Sequence, residues 1–135
     1  MTKNNLPPEL YRVVDANLNR LKEGIRVVED IMRYRDNNKE LSSKLKKLRH
    51  LAKINDTTKL LINRDSINDV LRPTIDSELN RSDVNSIILA NFKRGQESCR
   101  VLEELFKLEN LNYSETFKHI RYELYDLEKT VLVSS

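Results

Sequence analysis

The chain has no tryptophan, one cysteine, two glycines and three prolines among its 135 residues, and aromatic residues make up only 6% of it. Each shortage excludes something. One cysteine cannot build a disulfide framework, so the fold rests on its core and the expected setting is a reducing cytoplasm. The glycines, Gly24 and Gly95, belong to neither a GxxxxGK[ST] nor a GxGxxG pattern, which excludes phosphate cradling by a glycine-rich loop as a motif. No apolar run reaches membrane-spanning length, and no signal-peptide pattern is present. His50 and His119 have no metal-ligand spacing to each other or to Cys99, and Cys99 reads as a core residue. The formal charge of +3 is small and its acids and bases are interleaved, which argues against a nucleic-acid binder.

What remains is 39% hydrophobic and 33% charged. With so little glycine and proline, that is the profile of a helical domain large enough to bury a real core.

The chain states one stretch twice. Ala16 to Ile31 recurs as Ala90 to Leu105 at a shift of 74 positions, with seven identities: Ala16/Ala90, Asn17/Asn91, Arg20/Arg94, Glu23/Glu97, Arg26/Arg100, Val27/Val101 and Glu29/Glu103. Chance gives about one in such a window, so duplication is the economical reading. A copied core needs only its apolar positions, yet five of the seven identities are polar or charged. Something beyond packing was copied.

Pro7 and Pro8 suit a first helical turn. Leu10, Val13, Val14, Leu18, Leu21, Ile25, Val28, Ile31 and Met32 then recur at helical spacing, predicting one amphipathic helix to about Tyr34. Met1 to Leu6 is a polar leader expected to fray, as are the last four residues. Asp36-Asn37-Asn38 breaks the first helix, Asn38 can cap a second, and Leu41, Leu45, Leu48 and Leu51 carry that one to about Lys53. Residues 55–81 read as a long loop with one helical turn at Lys59 to Ile62. Ser82 caps a third helix to about Leu108, and a fourth runs from about Ser114 to Val131. Lys46-Lys47-Leu48-Arg49-His50 matches Lys118-His119-Ile120-Arg121-Tyr122 at a shift of 72, so the second helices are copies too. The expectation is an all-α four-helix bundle in a single domain. Two αα-hairpins, about 7–53 and 82–131, would be related by a pseudo-twofold axis that brings Asn17 close to Asn91.

At about 100° per residue, Asn17 falls inside the apolar arc of its helix, and Asn91 does the same in the copy. A buried Asn must find partners. Interhelical register and ligand binding both remain open for this pair. Arg20 and Arg94 lie at the border of the arc, where they can turn inward, while Glu23, Arg26 and Glu29 drift away from it. Surface pairing of Arg20 with Glu23 and of Arg26 with Asp30 is the plain alternative.

These residues carry a resemblance. Asp15-Ala16-Asn17-Leu18-Asn19-Arg20 with Glu23-Gly24-Ile25-Arg26-Val27-Val28-Glu29-Asp30 begins it, followed by Ala90-Asn91-Phe92-Lys93-Arg94 with Gln96-Glu97 and Arg100-Val101-Leu102-Glu103-Glu104. Arg121-Tyr122-Glu123-Leu124-Tyr125 completes it. Together they resemble the small hydroxymethylpyrimidine-phosphate kinase family, whose members occur alone or fused ahead of thiamin-phosphate synthase. The likeness runs from about Tyr11 to Lys129. In the loop, Arg64-Asp65, Asp69-Val70, Glu78 and Arg81 match the family pattern, and Leu71 stands where that pattern has Gly.

The resemblance implies transfer of the γ-phosphoryl group of ATP, with Mg²⁺, to the monophosphate of 4-amino-5-hydroxymethyl-2-methylpyrimidine, and no activity on the unphosphorylated alcohol. A phosphate acceptor is already an anion at neutral pH. The burden is therefore to neutralise two crowded anions and hold them in line, which arginines do best. The roles implied are Arg20, Arg94 and Lys93 on phosphates and Asn17 and Asn91 positioning substrate or metal. Glu23, Glu97 or Asp15 would stand near Mg²⁺, with Arg49, Arg64, Asp65 and Arg121 as further binding candidates. Thiamin-phosphate synthase is the implied functional partner, and a homo-oligomer stays open. Three rivals remain: a noncatalytic module docking on that synthase, an all-helical mutase or lyase acting on an anionic metabolite, and, least favoured by charge, a nucleic-acid binder.

Segment 63–81 combines family-matching charges with the length of a lid, so MgATP plus the pyrimidine monophosphate is expected to slow its hydrogen exchange. Unchanged protection at saturation would make it a passive tether.

Overall fold

The computed structural model describes residues 6–55, 57–73 and 81–133. Helix α1, Pro8–Asp30, starts with Pro8 in its first turn and runs into a π-helical turn, Ile31–Arg35. There Asp36 N–H bonds the Ile31 carbonyl at 3.2 Å. Asn38 caps α2, Lys39–Leu51, accepting from the Leu41 N–H at 3.0 Å, as the sequence predicts. The helix stops short of Lys53 because Lys53 N–H turns back to the Leu51 carbonyl at 2.8 Å. The turn expected at Lys59 to Ile62 is a longer helix, α3, Thr57–Asn63. Helix α4, Val84–Phe106, is capped by Asp83 rather than Ser82: the Asp83 carboxylate accepts from Ser86 N–H at 2.7 Å, while the Ser82 and Ser86 hydroxyls pair with each other. Helix α5, Leu111–Val133, begins three residues earlier than expected, with the Asn110 side chain accepting from Tyr113 N–H at 3.2 Å. Leu6 does not fray. It is buried and its N–H donates to Glu109 at 3.0 Å, beside the 2.6 Å bond from the Tyr11 hydroxyl.

The four long helices close into a ring, with α1 against α2 and α4, and α5 against α4 and α2, while α3 packs on α1. This is a four-helix bundle, and the described residues contain no strand. Leu21, Ile25, Leu45, Phe92, Leu102, Phe106, Phe117 and Ile120 fill its centre. Cys99 is fully buried among them, and burial pushes its thiol pKa up. No helix of the described residues is long and apolar enough to cross a membrane.

The duplication reaches into the side-chain contacts. Arg49 donates through Nε and Nη2 to both oxygens of Glu29 at 2.7 and 3.1 Å. Arg121 makes the same fork onto Glu103, with its Nη2 at 3.1 Å. Both carboxylates are buried, at 2% and 5% exposure. Glu29 therefore does not drift away from the core as expected from the helix wheel. Twelve residues beyond Asn17 the step of about 100° has carried it round to the opposite border of the apolar arc, where the Arg49 fork makes burial tolerable. The pairs raise the pKa of both Arg49 and Arg121, chiefly through the hydrogen bond each gives its glutamate. On the outside, Arg26–Asp30 at 3.2 Å and Arg100–Glu104 at 3.3 Å repeat as surface pairs.

Helix α1 meets α4 at Gly24. A Cβ there would stand 2.9 Å from the Asn91 carbonyl oxygen and 3.6 Å from Gly95 N. Only a residue without a side chain allows this approach.

Two measurements test this packing. Arg121→Ala leaves the Glu103 carboxylate buried and unpaired, at an expected cost of about 3 kcal/mol and a Tm lower by roughly 10 °C, whereas Glu103→Leu with Arg121→Met should recover most of the loss. A single-variant loss under about 1 kcal/mol would contradict the role given to the pair. Gly24→Ala gains about 1 kcal/mol of helix propensity yet is expected to lower Tm, because the Asn91 backbone must move; a higher Tm would show that α1 and α4 have room to part.

Candidate functional site

Two adjoining clefts open along α1. The first, about 390 Å³, lies between α1 and α4 and is lined by Asn17 and Arg20 from one helix and Ala90, Arg94, Glu97, Ser98 and Val101 from the other. Repeat partners Arg20 and Arg94 thus face one space. Among the described residues neither makes a hydrogen bond or an ion pair with another group of the protein, and both are exposed. Glu23, read as a surface partner for Arg20, forms no such pair, and Glu97 is likewise free. A guanidinium without a protein partner can bind an anion with several oxygens, since its planar fork matches phosphate.

The amides behave alike in the two copies. Asn17 Nδ2 donates to the Val13 carbonyl at 3.0 Å and Asn91 Nδ2 to the Ile87 carbonyl at 2.8 Å, each within its own helix. No bond joins the two amides, so among the described residues they are not a direct interhelical clasp. Asn17 is buried and lines both clefts; Asn91 is half-buried and gives its backbone carbonyl to the Gly24 contact.

The second cleft, about 600 Å³, shares Asn17 and Arg20 with the first. Its floor is the N-terminal half of α1 with Glu23, and its wall is the segment from Arg64 to Asp69 that follows α3. Arg64 pins that wall: its Nε and Nη2 donate to the two oxygens of Asp15 at 2.7 Å each, and this bond raises the pKa of the guanidinium. Asn19 Nδ2 adds a third bond to Asp15 at 3.2 Å, and Arg12 donates to the Asp65 carbonyl at 2.8 Å. Asp15 is buried, and its oxygens are engaged by Arg64 rather than turned to open space. The Asp65 carboxylate accepts from the Asn68 side chain and N–H at 2.6 and 3.1 Å, which holds its pKa below the usual range. It shapes the loop from within.

Other candidates stand elsewhere. Lys93 turns to α5, bonding Glu128 and Gln96 at 3.2 Å each with its ammonium over the Tyr125 ring. Arg49 and Arg121 are occupied by their glutamates and line neither cleft. Glu78 lies outside the described residues. A third hollow, about 330 Å³, sits at the π-helical end of α1 around Arg33, Asn37 and Lys46 and holds none of the candidates.

Ser98, Glu9 and Arg12 line the clefts without having been singled out in the sequence. Only Ser98 left a signal there. It falls opposite Gly24 in the repeat, so both copies carry a small residue at that position.

The ThiD2 family profile matches residues 12–130. A thiamine-phosphate synthase of Nostoc punctiforme is 38% identical over 132 residues, covering 96% of this chain and 37% of the relative. One from a Synechocystis species is 39% identical over 129 residues, covering 95% and 38%. One from Prochlorococcus marinus is 35% identical over 132 residues, covering 97% and 38%. The chain thus spans a little over a third of the length of these relatives. No solved structure matches it significantly. With nearly the whole chain inside the matched segment, this protein belongs to the ThiD2 family.

Proposed function

We propose that this protein is a hydroxymethylpyrimidine-phosphate kinase of thiamin biosynthesis, moving the γ-phosphoryl group of ATP onto the phosphate of the pyrimidine monophosphate. The pathway is supported by the thiamine-phosphate synthases that carry a matching segment. The chemistry is supported above all by one observation: duplicated Arg20 and Arg94, from two helices, face a single cleft with no partner in the described residues.

Phosphoryl transfer to a phosphate asks little of a general base and much of charge neutralisation. Arg20 and Arg94 supply it as fixed cations that bind equatorial oxygens, and Asn17, Glu97 and Ser98 complete the wall around them. Gly24 sets how closely the two arginine-bearing helices approach. Holding donor and acceptor in line is a large share of the rate in such a site. ATP would enter with Mg²⁺, which screens the phosphate charges when bound. The described residues hold no group of three His, Cys, Asp or Glu placed to ligate a metal. Glu97, beside the arginines and with no partner among the described residues, does fit a hydrated Mg²⁺ carried on the nucleotide, and it is the side chain that would face its water shell.

The relatives' length favours one other reading. Because the matched segment is just over a third of each thiamine-phosphate synthase, the same fold can serve as a noncatalytic module docking on such a synthase.

Mass analysis of protein incubated with MgATP and the pyrimidine monophosphate is expected to show the diphosphate. Arg94→Ala should lower kcat/KM roughly a hundredfold, equivalent to about 2.7 kcal/mol, at nearly unchanged Tm. Lys93→Ala should stay near wild type. Asn91→Leu should fold and lose activity if the amide serves the ligand; an active, higher-melting variant would make it structural. No diphosphate at any ATP concentration, with tight binding to a thiamin-phosphate synthase, would replace the kinase by the docking module.

A further inference from the structure

Resting on the phosphotransferase reading, we propose that the two clefts divide one ligand system between them. The phosphoryl groups lie between α1 and α4, and a 4-aminopyrimidine ring, the fragment common to adenine and to the pyrimidine acceptor, occupies the cleft walled by the Arg64 loop.

Charge separates the clefts first. Arg20 and Arg94 face Glu97 alone in the smaller one, which leaves it positive. The larger cleft sets Glu9, Asp15, Glu23, Asp65 and Asp69 against Arg12, Arg20 and Arg64, which leaves it negative. A phosphate is repelled there, whereas a neutral or protonated ring carrying an exocyclic amine is favoured. Such a ring needs acceptors for its N–H groups and a donor for its ring nitrogen. Glu9 and Glu23 are acceptors with no partner among the described residues, Ser66 and Arg12 are donors, and Val13 and Ala16 give the apolar floor on which a flat ring can lie. At about 600 Å³ the space is in the range of small-molecule pockets.

The repeat bears on the same division. Asn17, Arg20 and Glu23 have copies at Asn91, Arg94 and Glu97, and phosphoryl groups also come in more than one copy in this reaction. To the copied Ala16, Asn17, Arg20 and Glu23 the loop-walled cleft adds residues that were not copied. Asp15 falls opposite Leu89, Asn19 opposite Lys93, and the Arg64 segment belongs to the linker. In this scheme Arg64 and Asp15 are positioning residues, and Asn17 and Arg20, common to both clefts, join ring to phosphate.

Repeat partners Ala16 and Ala90 each line one cleft, so leucine can fill either without breaking a helix. The test titrates adenosine, the unphosphorylated pyrimidine alcohol and inorganic pyrophosphate separately into wild type, Ala16→Leu and Ala90→Leu, reading affinity by NMR. Ring binding at least tenfold weaker in Ala16→Leu with pyrophosphate unchanged, and the reverse in Ala90→Leu, is the expected result; whichever ring compound binds names the source. Ring binding lost in Ala90→Leu but kept in Ala16→Leu, no ring binding to wild type, or pyrophosphate lost equally in both overturns the division. Glu23→Gln, which changes no volume, is to weaken ring binding as well, so a poorly folded Ala16→Leu does not remove the test. None of these readouts uses turnover. Cleft-selective binding without ATP-dependent product defeats the kinase and keeps the division, while product without cleft-selective binding does the opposite.

Discussion

The close approach of α1 to α4 is the constraint from which the rest of the molecule follows. At Gly24 the two backbones come within a distance that no Cβ would tolerate, the Asn91 carbonyl oxygen standing where it would clash. Arg20 lies one helical turn before Gly24 and Arg94 three residues after Asn91, so the same contact that closes the core aims two cations at one cleft. A wider spacing would still give a four-helix bundle. It would not hold two guanidinium groups at the reach of a single polyanion.

Two kinds of arginine then divide the work. Arg49 and Arg121 bridge the second helix of each hairpin to a buried glutamate of the first, and their forks satisfy carboxylates that could not otherwise sit in the core. Those charges are spent. Arg20 and Arg94 are left with no protein partner among the described residues, on the same helices and within two to three turns of the buried glutamates. A bundle that neutralised every arginine internally would be an inert scaffold. Here pairing some and leaving others open puts two guanidinium groups at one cleft, despite a net charge of only +3 for the chain.

Much of this was legible in the sequence because helical periodicity and duplication are local signals. Asn38 as a cap, the four long helices and the burial of Cys99 follow from spacing alone. Glu29 and Glu103 show where that reading stopped. Both were among the identities, and Arg49 and Arg121 lay in the copied second helices, yet a charge on a helix wheel looks solvated until a partner from another helix is known. The two duplications together carried the pairing. Lys93 illustrates the opposite limit: it adjoins Arg94 in sequence but points about 100° away and meets Glu128 of α5, a residue that no local pattern links to it. The Arg64 to Asp15 bond spans 49 positions and joins a loop to a helix, so periodicity could not supply it.

The loop-walled cleft exposes the physical difference between copying and adapting a site. Duplication gives equivalent residues equivalent surroundings, as the paired amides and paired ion pairs do here. Such symmetry suits chemically similar groups and offers nothing to a group that occurs once. Asp15 breaks it. Its repeat position holds Leu89, and its carboxylate is what draws the linker's Arg64 down onto α1. An acidic residue on one copy, where the other has an apolar one, thus anchors the loop that walls the second cleft and makes two matched halves unlike on that side.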